Sequence, residues 1–243
     1  VMGGMLFDDV WKNLAESTRN KALYAVRQGI EQGNTTAQIV AELRGKRTRM
    51  PNGSYEYVGG IVDEVRRNGI EANVRTLRAG IANETMQQTF TALGYKYVKF
   101  FNVLDGRTSK KCAFYSNNVY SIDEPHPVPP LHPNCRSLLI GVSSKEGKLE
   151  GKRPFVASDK PVSKIPKDQR SDVIGQVDAN VGFKSWFNKQ DAAFQKNWLG
   201  PSRYELFKKG GYDLDRFVDP LGNELTLAEL KSLDEKTFKE LNL

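Results

Sequence analysis

The segment from Glu124 to Cys135 has five prolines in twelve residues, and it limits the possible folds more than any other part of the chain. Proline fixes φ and lacks a backbone N–H, so this segment cannot be helical and is predicted to be an irregular loop. Runs of residues that favour β-strands flank it at 118–122 and 138–142, and a longer aromatic and β-branched run lies at 95–103. The centre of the chain is therefore predicted to be a small β-containing domain around this loop.

Helices are predicted before this domain. Apolar residues recur every three or four positions from Leu6 to Leu14 and from 60 to 93. Thr35 and Gln38 have the spacing of a capping box, which predicts a helix start. The segment 44–54 has four basic residues, a proline and two glycines, and we predict that it is an exposed basic loop.

After the domain, residues 145–170 are rich in charge and proline and poor in core-forming side chains, which is typical of a linker or an extended arm. Helices then return, and Thr226 with Glu229 forms a second capping-box pattern. Four large aromatic residues there are predicted to be buried in a core: Trp186, Phe187, Phe194 and Trp198.

These patterns predict an α+β protein in four parts. They are an N-terminal helical region at 1–59, a small β-containing Cys/His domain at 60–143, a basic proline-containing linker at 144–180 and a helical C-terminal module at 181–243.

Composition argues against several classes of protein. No apolar run approaches the roughly 20 residues that cross a bilayer, so no membrane span is predicted. The first residues lack the basic and apolar segments of a secretory signal, so export is not expected. Two cysteines in 243 residues are too few for a disulfide framework, which favours assembly in a reducing compartment such as bacterial cytoplasm.

Two cysteines and a histidine are candidate metal ligands. The thiolates of Cys112 and Cys135 and the imidazole of His132 suit zinc, and the His-x-x-Cys spacing lets two ligands converge from one turn. Asp105 or His126 is the candidate fourth ligand, and a structural zinc would order the proline-rich loop. The alternatives are two buried thiols with a histidine that hydrogen-bonds a loop carbonyl, or a disulfide formed after release from the cell.

Basic residues outnumber acidic ones by 36 to 29, which gives a net charge of +7 and favours a polyanionic partner. Sequence-independent contacts with DNA phosphates are one interpretation, and an ordinary solvated surface is the other. The candidate DNA contacts are Arg44, Lys46, Arg47, Arg49, Lys110, Lys111, Lys152 and Arg153.

Two stretches of the chain resemble a known family. Around the proline-rich loop the matching residues are Arg75, Thr76, Asn83, Asp105, Arg107, Thr108, Cys112, Asn118, Val119, Tyr120, Pro130, His132, Pro133, Asn134, Cys135 and Arg136. Together they resemble the Mu protein F-like head-morphogenesis domain of bacteriophages, over about residues 60–143. Further on, the chain resembles the C-terminal element of minor head proteins at Trp186, Gln195, Leu199, Gly200, Arg203, Leu206, Phe207, Gly210, Phe217, Asp219, Leu225, Thr226 and Leu230.

The resemblance implies a phage minor head protein of the capsid that acts in head morphogenesis. Such a protein would be assembled in the host cytoplasm and lie inside the virion near the portal. It would contact the portal or the major capsid protein and, non-specifically, the packaged double-stranded DNA, and would help DNA packaging or ejection.

An enzyme is not expected, because the chain has only two histidines and lacks a nucleophile elbow or a phosphate-binding glycine loop. Asp105, Arg107 and Thr108 follow a predicted strand and are expected to lock a turn, although Arg107 is also suited to bind a phosphate. The alternatives are a metal-dependent nuclease or toxin-like enzyme, and a stand-alone DNA-binding module.

Overall fold

The computed structural model describes residues 16–62 and 67–243, and the predicted helical pattern from Leu6 to Leu14 lies outside them. The chain forms two compact units. In the described residues, the first unit consists of 16–62, 67–89 and 128–138, and the second of 90–127 and 139–243. The protein is α+β, as predicted, with small sheets between helical ends.

The first unit is built on three helices: α1 (Glu16–Glu31), α2 (Thr36–Arg44) and α3 (Arg67–Ala92). The predicted capping box is confirmed, since the Thr35 hydroxyl accepts from the Gln38 N–H and the Gln38 side chain accepts from the Thr35 N–H. Apolar side chains spaced three or four apart then point to one side of each helix. They form one core of Ala22, Ala25, Val26, Ile39, Val40, Leu43, Val62, Ile70 and Val74.

The predicted basic loop is instead a β-hairpin of β1 (Gly45–Arg49) and β2 (Tyr55–Gly59). Its turn is closed by the Met50 N–H, which donates to Ser54 O at 2.8 Å. At its base, Gly45 has φ 78° and ψ −174°, a conformation that almost only glycine adopts. A Cβ there would lie 2.3 Å from Val58 O, so the two strands approach too closely for any other residue.

Helix α3 runs without interruption through Gly80. A Cβ at Gly80 would lie 3.4 Å from Pro130 Cδ, an ordinary van der Waals distance, so the helix passes close to the proline-rich loop here.

The second unit contains two three-stranded sheets. One has the order β5–β3–β6, from β3 (Tyr97–Phe101), β5 (Val119–Ser121) and β6 (Leu138–Val142), and these are the three strands that the sequence predicted. The other has the order β4–β7–β8, from β4 (Leu104–Asp105), β7 (Lys152–Val156) and β8 (Ile174–Asp178).

The region 144–180, predicted to be a basic proline-containing linker, contains two strands of the second sheet. Strands β7 and β8 pair antiparallel over five residues each, and β7 pairs parallel with β4. Two 3₁₀ turns, Val162–Lys164 and Lys167–Gln169, and the short helix α5 (Arg170–Val173) connect them. Charged side chains on exposed positions hid this sheet from the sequence pattern.

Short helices complete the second unit. Their bounds are α4 (Lys110–Phe114), α6 (Phe183–Phe187), α7 (Ala192–Leu199), α8 (Pro201–Lys208), α9 (Leu227–Leu233) and α10 (Glu235–Glu240), with a 3₁₀ turn at Leu214–Phe217. The predicted capping box of Thr226 and Glu229 starts α9.

The core of this unit joins residues that the sequence placed in separate domains. Leu104 and Ala113 belong to the same buried cluster as Phe183, Trp186 and the other large side chains up to Phe238. The four aromatic residues predicted to be core are all buried. The C-terminal helices are therefore part of the unit that contains the aromatic strand and not a module that folds beside it.

Candidate functional site

The proline-rich loop is fixed to helix α3 by side chains that belong to the family-like pattern. The hydroxyl of Thr76 accepts the Asn134 N–H at 2.9 Å and donates to Ala72 O at 2.7 Å. Asn83 donates from its amide to Ser137 O at 3.3 Å. Asn134 has φ 56°, a left-handed conformation that asparagine tolerates. These bonds attach the loop to helix α3.

His132 and Cys135 lie in one tight turn of this loop. The Cys135 N–H donates to His132 O at 3.1 Å, which closes the turn. The Nδ1 atom of His132 lies 2.9 Å from Pro133 O, a contact that makes Nδ1 the N–H donor and leaves the lone pair on Nε2. A hydrogen bond with the Cys135 side chain, only partly offset by burial, raises the pKa of His132 above its usual value.

Cys112 is buried on helix α4. Ser109 caps the start of this helix, and its hydroxyl accepts the Cys112 N–H at 3.2 Å. His132 and Cys135 belong to the first unit and Cys112 to the second, and a zinc site shared by the three stays a prediction.

Both candidates for the fourth ligand lie in the second unit. The Nδ1 atom of His126 lies 2.7 Å from Glu124 O, and its ring stacks on Tyr120 at 5.8 Å. The carboxylate of Asp105 is buried in a turn of the same unit. The assignment of one of them as the fourth ligand stays a prediction.

The turn after β4 uses the side chains of Asp105, Arg107 and Thr108. Asp105 accepts the Arg107 N–H and a guanidinium N–H, both at 3.0 Å, and the Thr108 hydroxyl donates to Val103 O at 2.6 Å. The indole of Trp198 then donates to Thr108 O at 2.8 Å. These residues lock a turn and attach it to α7, in line with the simpler of the two interpretations drawn from the sequence.

Three candidate DNA contacts are engaged inside the second unit, two of them on α4. The ammonium group of Lys110 lies 3.7 Å from the Glu224 carboxylate and 4.8 Å from the centre of the Trp198 ring, and burial lowers its pKa. Lys111 donates to Asn223 Oδ1 at 2.8 Å. Both lysines therefore fasten α4 to the C-terminal part of the unit.

Arg153 is the third, and it corrects the prediction of a DNA contact at this position. The residue is 3% exposed, and burial lowers its pKa to about 10. Its guanidinium donates to Asn102 O and to Val181 O and lies over the Phe101 ring, 3.7 Å from its centre. Because the group is enclosed, it cannot reach a phosphate; its neighbour Lys152 is exposed.

The other four candidates, Arg44, Lys46, Arg47 and Arg49, lie at the start of the hairpin or in β1. Among the described residues, none of the four forms an ion pair with a carboxylate. Tyr55 on β2 contacts Arg47, and Tyr57 contacts Arg44. The sequence pattern does not predict this pairing, because it does not predict the strand.

In this α+β chain, polar residues of the family-like pattern lock turns and loops. The family described as Phage Mu protein F like protein matches residues 20–140, about half of the chain, and the chain belongs to that family. The match begins before the predicted domain start at residue 60 and includes α1, α2 and the hairpin. No curated protein and no solved structure matches the chain.

Membership makes the chain a phage head-related protein of a structural family. Within the described residues, no helix has the length and apolar character to cross a membrane.

Proposed function

We propose that the chain is a minor head protein that is built into the virion during head morphogenesis, inside the capsid and near the portal. The observation that carries this proposal is the use of the family-like polar residues. Thr76 and Asn83 fix a loop, and Asp105 and Thr108 lock a turn that Trp198 anchors. Side chains used in this way stabilise the fold of an assembly protein, and few polar groups of the family-like pattern are then left to act in catalysis.

Its proposed partners are the portal or the major capsid protein and the packaged double-stranded DNA. The net charge of +7 supports the DNA contact, since a cationic protein is attracted to phosphates without regard to base sequence. Through these contacts the protein would help package, retain or eject the genome.

A nonsense mutation in the gene within its phage, with and without a plasmid copy, tests this function. We expect particles that are misassembled, incompletely filled with DNA or unable to deliver it, and rescue by the plasmid copy. Particles that assemble, fill and infect normally without the protein would contradict the proposal.

We also propose that Cys112, His132 and Cys135 bind zinc. Two thiolates and an imidazole form a donor set that zinc prefers, and the contact of His132 Nδ1 with a backbone carbonyl orients the ring as in many zinc sites. The metal would add cross-links to a loop that hydrogen bonds already order. With three protein ligands, the fourth position would be taken by water or by a ligand from a partner protein.

Elemental analysis of protein purified without chelators tests the zinc proposal. We expect about one zinc per chain, and loss of that zinc in Cys135→Ser with the secondary structure retained. A matched control is Ser137→Ala, which changes a nearby buried side chain but no ligand. Metal-free protein whose unfolding midpoint is unaffected by added zinc would refute it.

A further inference from the structure

The β1–β2 hairpin has two chemically different faces. In the register of the pair, Arg47 lies opposite Tyr57 and Arg49 opposite Tyr55. Side chains alternate between the faces of a ribbon, so these four residues share one face. We call it the arginine–tyrosine face. The other face carries the pairs Lys46 with Val58 and Thr48 with Glu56.

Charge is concentrated on the arginine–tyrosine face. Arg44, the last residue of α2, extends it, because its guanidinium lies 3.6 Å from the centre of the Tyr57 ring. Arg47 lies in the same way over Tyr55 at 4.2 Å. The face has three arginines and no carboxylate, whereas the single acid of the hairpin strands, Glu56, points to the opposite side.

These side chains are accessible and partly ordered in advance. Every residue of β2 is exposed, with Tyr55 at 54% and Tyr57 at 40%. Each tyrosine ring supports a guanidinium by a cation–π contact, which restricts the arginine without neutralising its charge. An arginine that is fixed and still charged loses less entropy when it binds an anion.

We propose that the arginine–tyrosine face docks on the phosphate backbone of duplex DNA. This inference rests on the proposed function, which supplies DNA as the polyanion, and it assigns the contact to one surface of the chain. Arg47 and Arg49 are two residues apart, so their Cα atoms are about 7 Å apart, within reach of phosphates along one strand. A two-stranded ribbon also fits the major groove, which is about 12 Å wide.

Duplex DNA fits better than single-stranded DNA. Proteins that bind single strands present open aromatic rings on which bases stack. Here a guanidinium already covers one side of each tyrosine ring, so the charge and not the ring is offered to the ligand. Of the other candidate cations, Lys110, Lys111 and Arg153 are engaged within the second unit, and Lys152 is exposed.

The test compares Arg47→Ala with Lys46→Ala in the full chain. The two substitutions remove one positive charge each from adjacent exposed positions of the same strand, but from opposite faces. Binding to a fluorescein-labelled 30-base-pair duplex is measured by fluorescence anisotropy over a series of salt concentrations, and circular dichroism checks the fold. A control double variant, Lys236→Ala with Lys239→Ala, is matched in charge to Arg47→Ala with Arg49→Ala.

Loss of one phosphate contact makes the slope of log K against log salt less steep by about 0.9. At about 0.1 M salt this corresponds to a roughly eightfold lower affinity. We expect this change for Arg47→Ala, and about twice this change in slope for Arg47→Ala with Arg49→Ala. For Lys46→Ala, and for the control Lys236→Ala with Lys239→Ala, we expect little change. Equal effects of Arg47→Ala and Lys46→Ala would overturn the assignment of the face.

Two further results would overturn the proposal in different ways. If the wild type binds the duplex and both arginine variants bind it as tightly as the wild type does, the hairpin is not the contact. The proposed role in DNA packaging would then still stand. If the wild type does not bind DNA at all, the DNA part of the proposed function fails as well. Stronger binding to a single strand of equal length, lost in Tyr55→Ala with Tyr57→Ala, would replace phosphate docking by base stacking.

Discussion

Replacement of Trp198 by phenylalanine tests how the turn after β4 is anchored. The indole of Trp198 donates to Thr108 O at 2.8 Å in the core of the second unit. Trp198→Phe removes this donor and leaves a buried carbonyl unsatisfied, which costs about 1–3 kcal/mol. The smaller ring also buries roughly 40 Å² less apolar surface, worth about 1 kcal/mol. We therefore expect the free energy of unfolding to fall by about 2–4 kcal/mol.

Trp186→Phe is the matched control, because Trp186 lies in the same core and its Nε1 has no hydrogen-bond partner among the described residues. This change loses a similar area but no hydrogen bond, and it removes a buried unpaired donor. We expect a loss of about 1 kcal/mol or less.

Urea denaturation followed by circular dichroism measures both losses by linear extrapolation. If the two variants differ by less than about 0.5 kcal/mol, the bond from Trp198 to Thr108 does not stabilise the turn as we infer.

Three further predictions concern other parts of the chain. Gly45→Ala forces alanine into a glycine-only conformation and against Val58 O, so the stability of the hairpin should fall by about 1–3 kcal/mol. This loss should be seen as faster amide exchange in β1 and β2, and unchanged exchange would contradict the prediction. Thr76→Val keeps the shape but removes the acceptor for the Asn134 N–H, so limited proteolysis should cut the proline-rich loop sooner than in wild type, and an unaltered rate would argue against that anchor. Hydrogen bonds from Asn223 lower the pKa of Asp219 below its usual value. The carboxylate therefore stabilises the fold above about pH 4, and this contribution is lost as pH falls through the lowered pKa. Asp219→Asn should be less stable than wild type at pH 7 and no less stable at pH 2, and a difference that does not depend on pH would refute the assignment.

Elements with a strong periodic pattern or a local capping signal could be predicted from the sequence. Thr35 with Gln38 and Thr226 with Glu229 each mark a helix start within a few residues, because both partners of the cap are neighbours in the chain. The aromatic strand was also predicted, since its buried centre at Val98 and Phe100 lies in a run dense in aromatic and β-branched residues.

The two regions that were missed are strands without a regular alternation of apolar and polar side chains. In β1 and β2 all residues but Gly45 are exposed, so there is no alternation of apolar and polar side chains to detect. In β7, Pro154 argued against a strand, yet it lies beyond the two-residue pairing with β4 and needs no N–H on that side. The hairpin of β1 and β2 depends on its turn, and β7 depends on partner strands distant in the sequence. A local sequence pattern reveals neither.

Among the candidate site residues, residue type predicted the chemistry but not the availability of each side chain. Cys112, His132 and Cys135 are predicted zinc ligands because of their residue types, and the structure adds that Cys112 and Cys135 are both buried. Arg153 had the same charge as Arg47, but only the fold shows that one is enclosed and the other exposed. Burial depends on long-range packing, so it could not be assigned from spacing.

The central claim is that this chain is a structural part of the virion. Quantitative mass spectrometry of gradient-purified phage particles tests it most directly. Our account predicts peptides of this chain in mature particles, at a constant ratio to the portal protein through successive purification steps. Their absence from particles, with the protein abundant in the lysate of the infected cell, would contradict it.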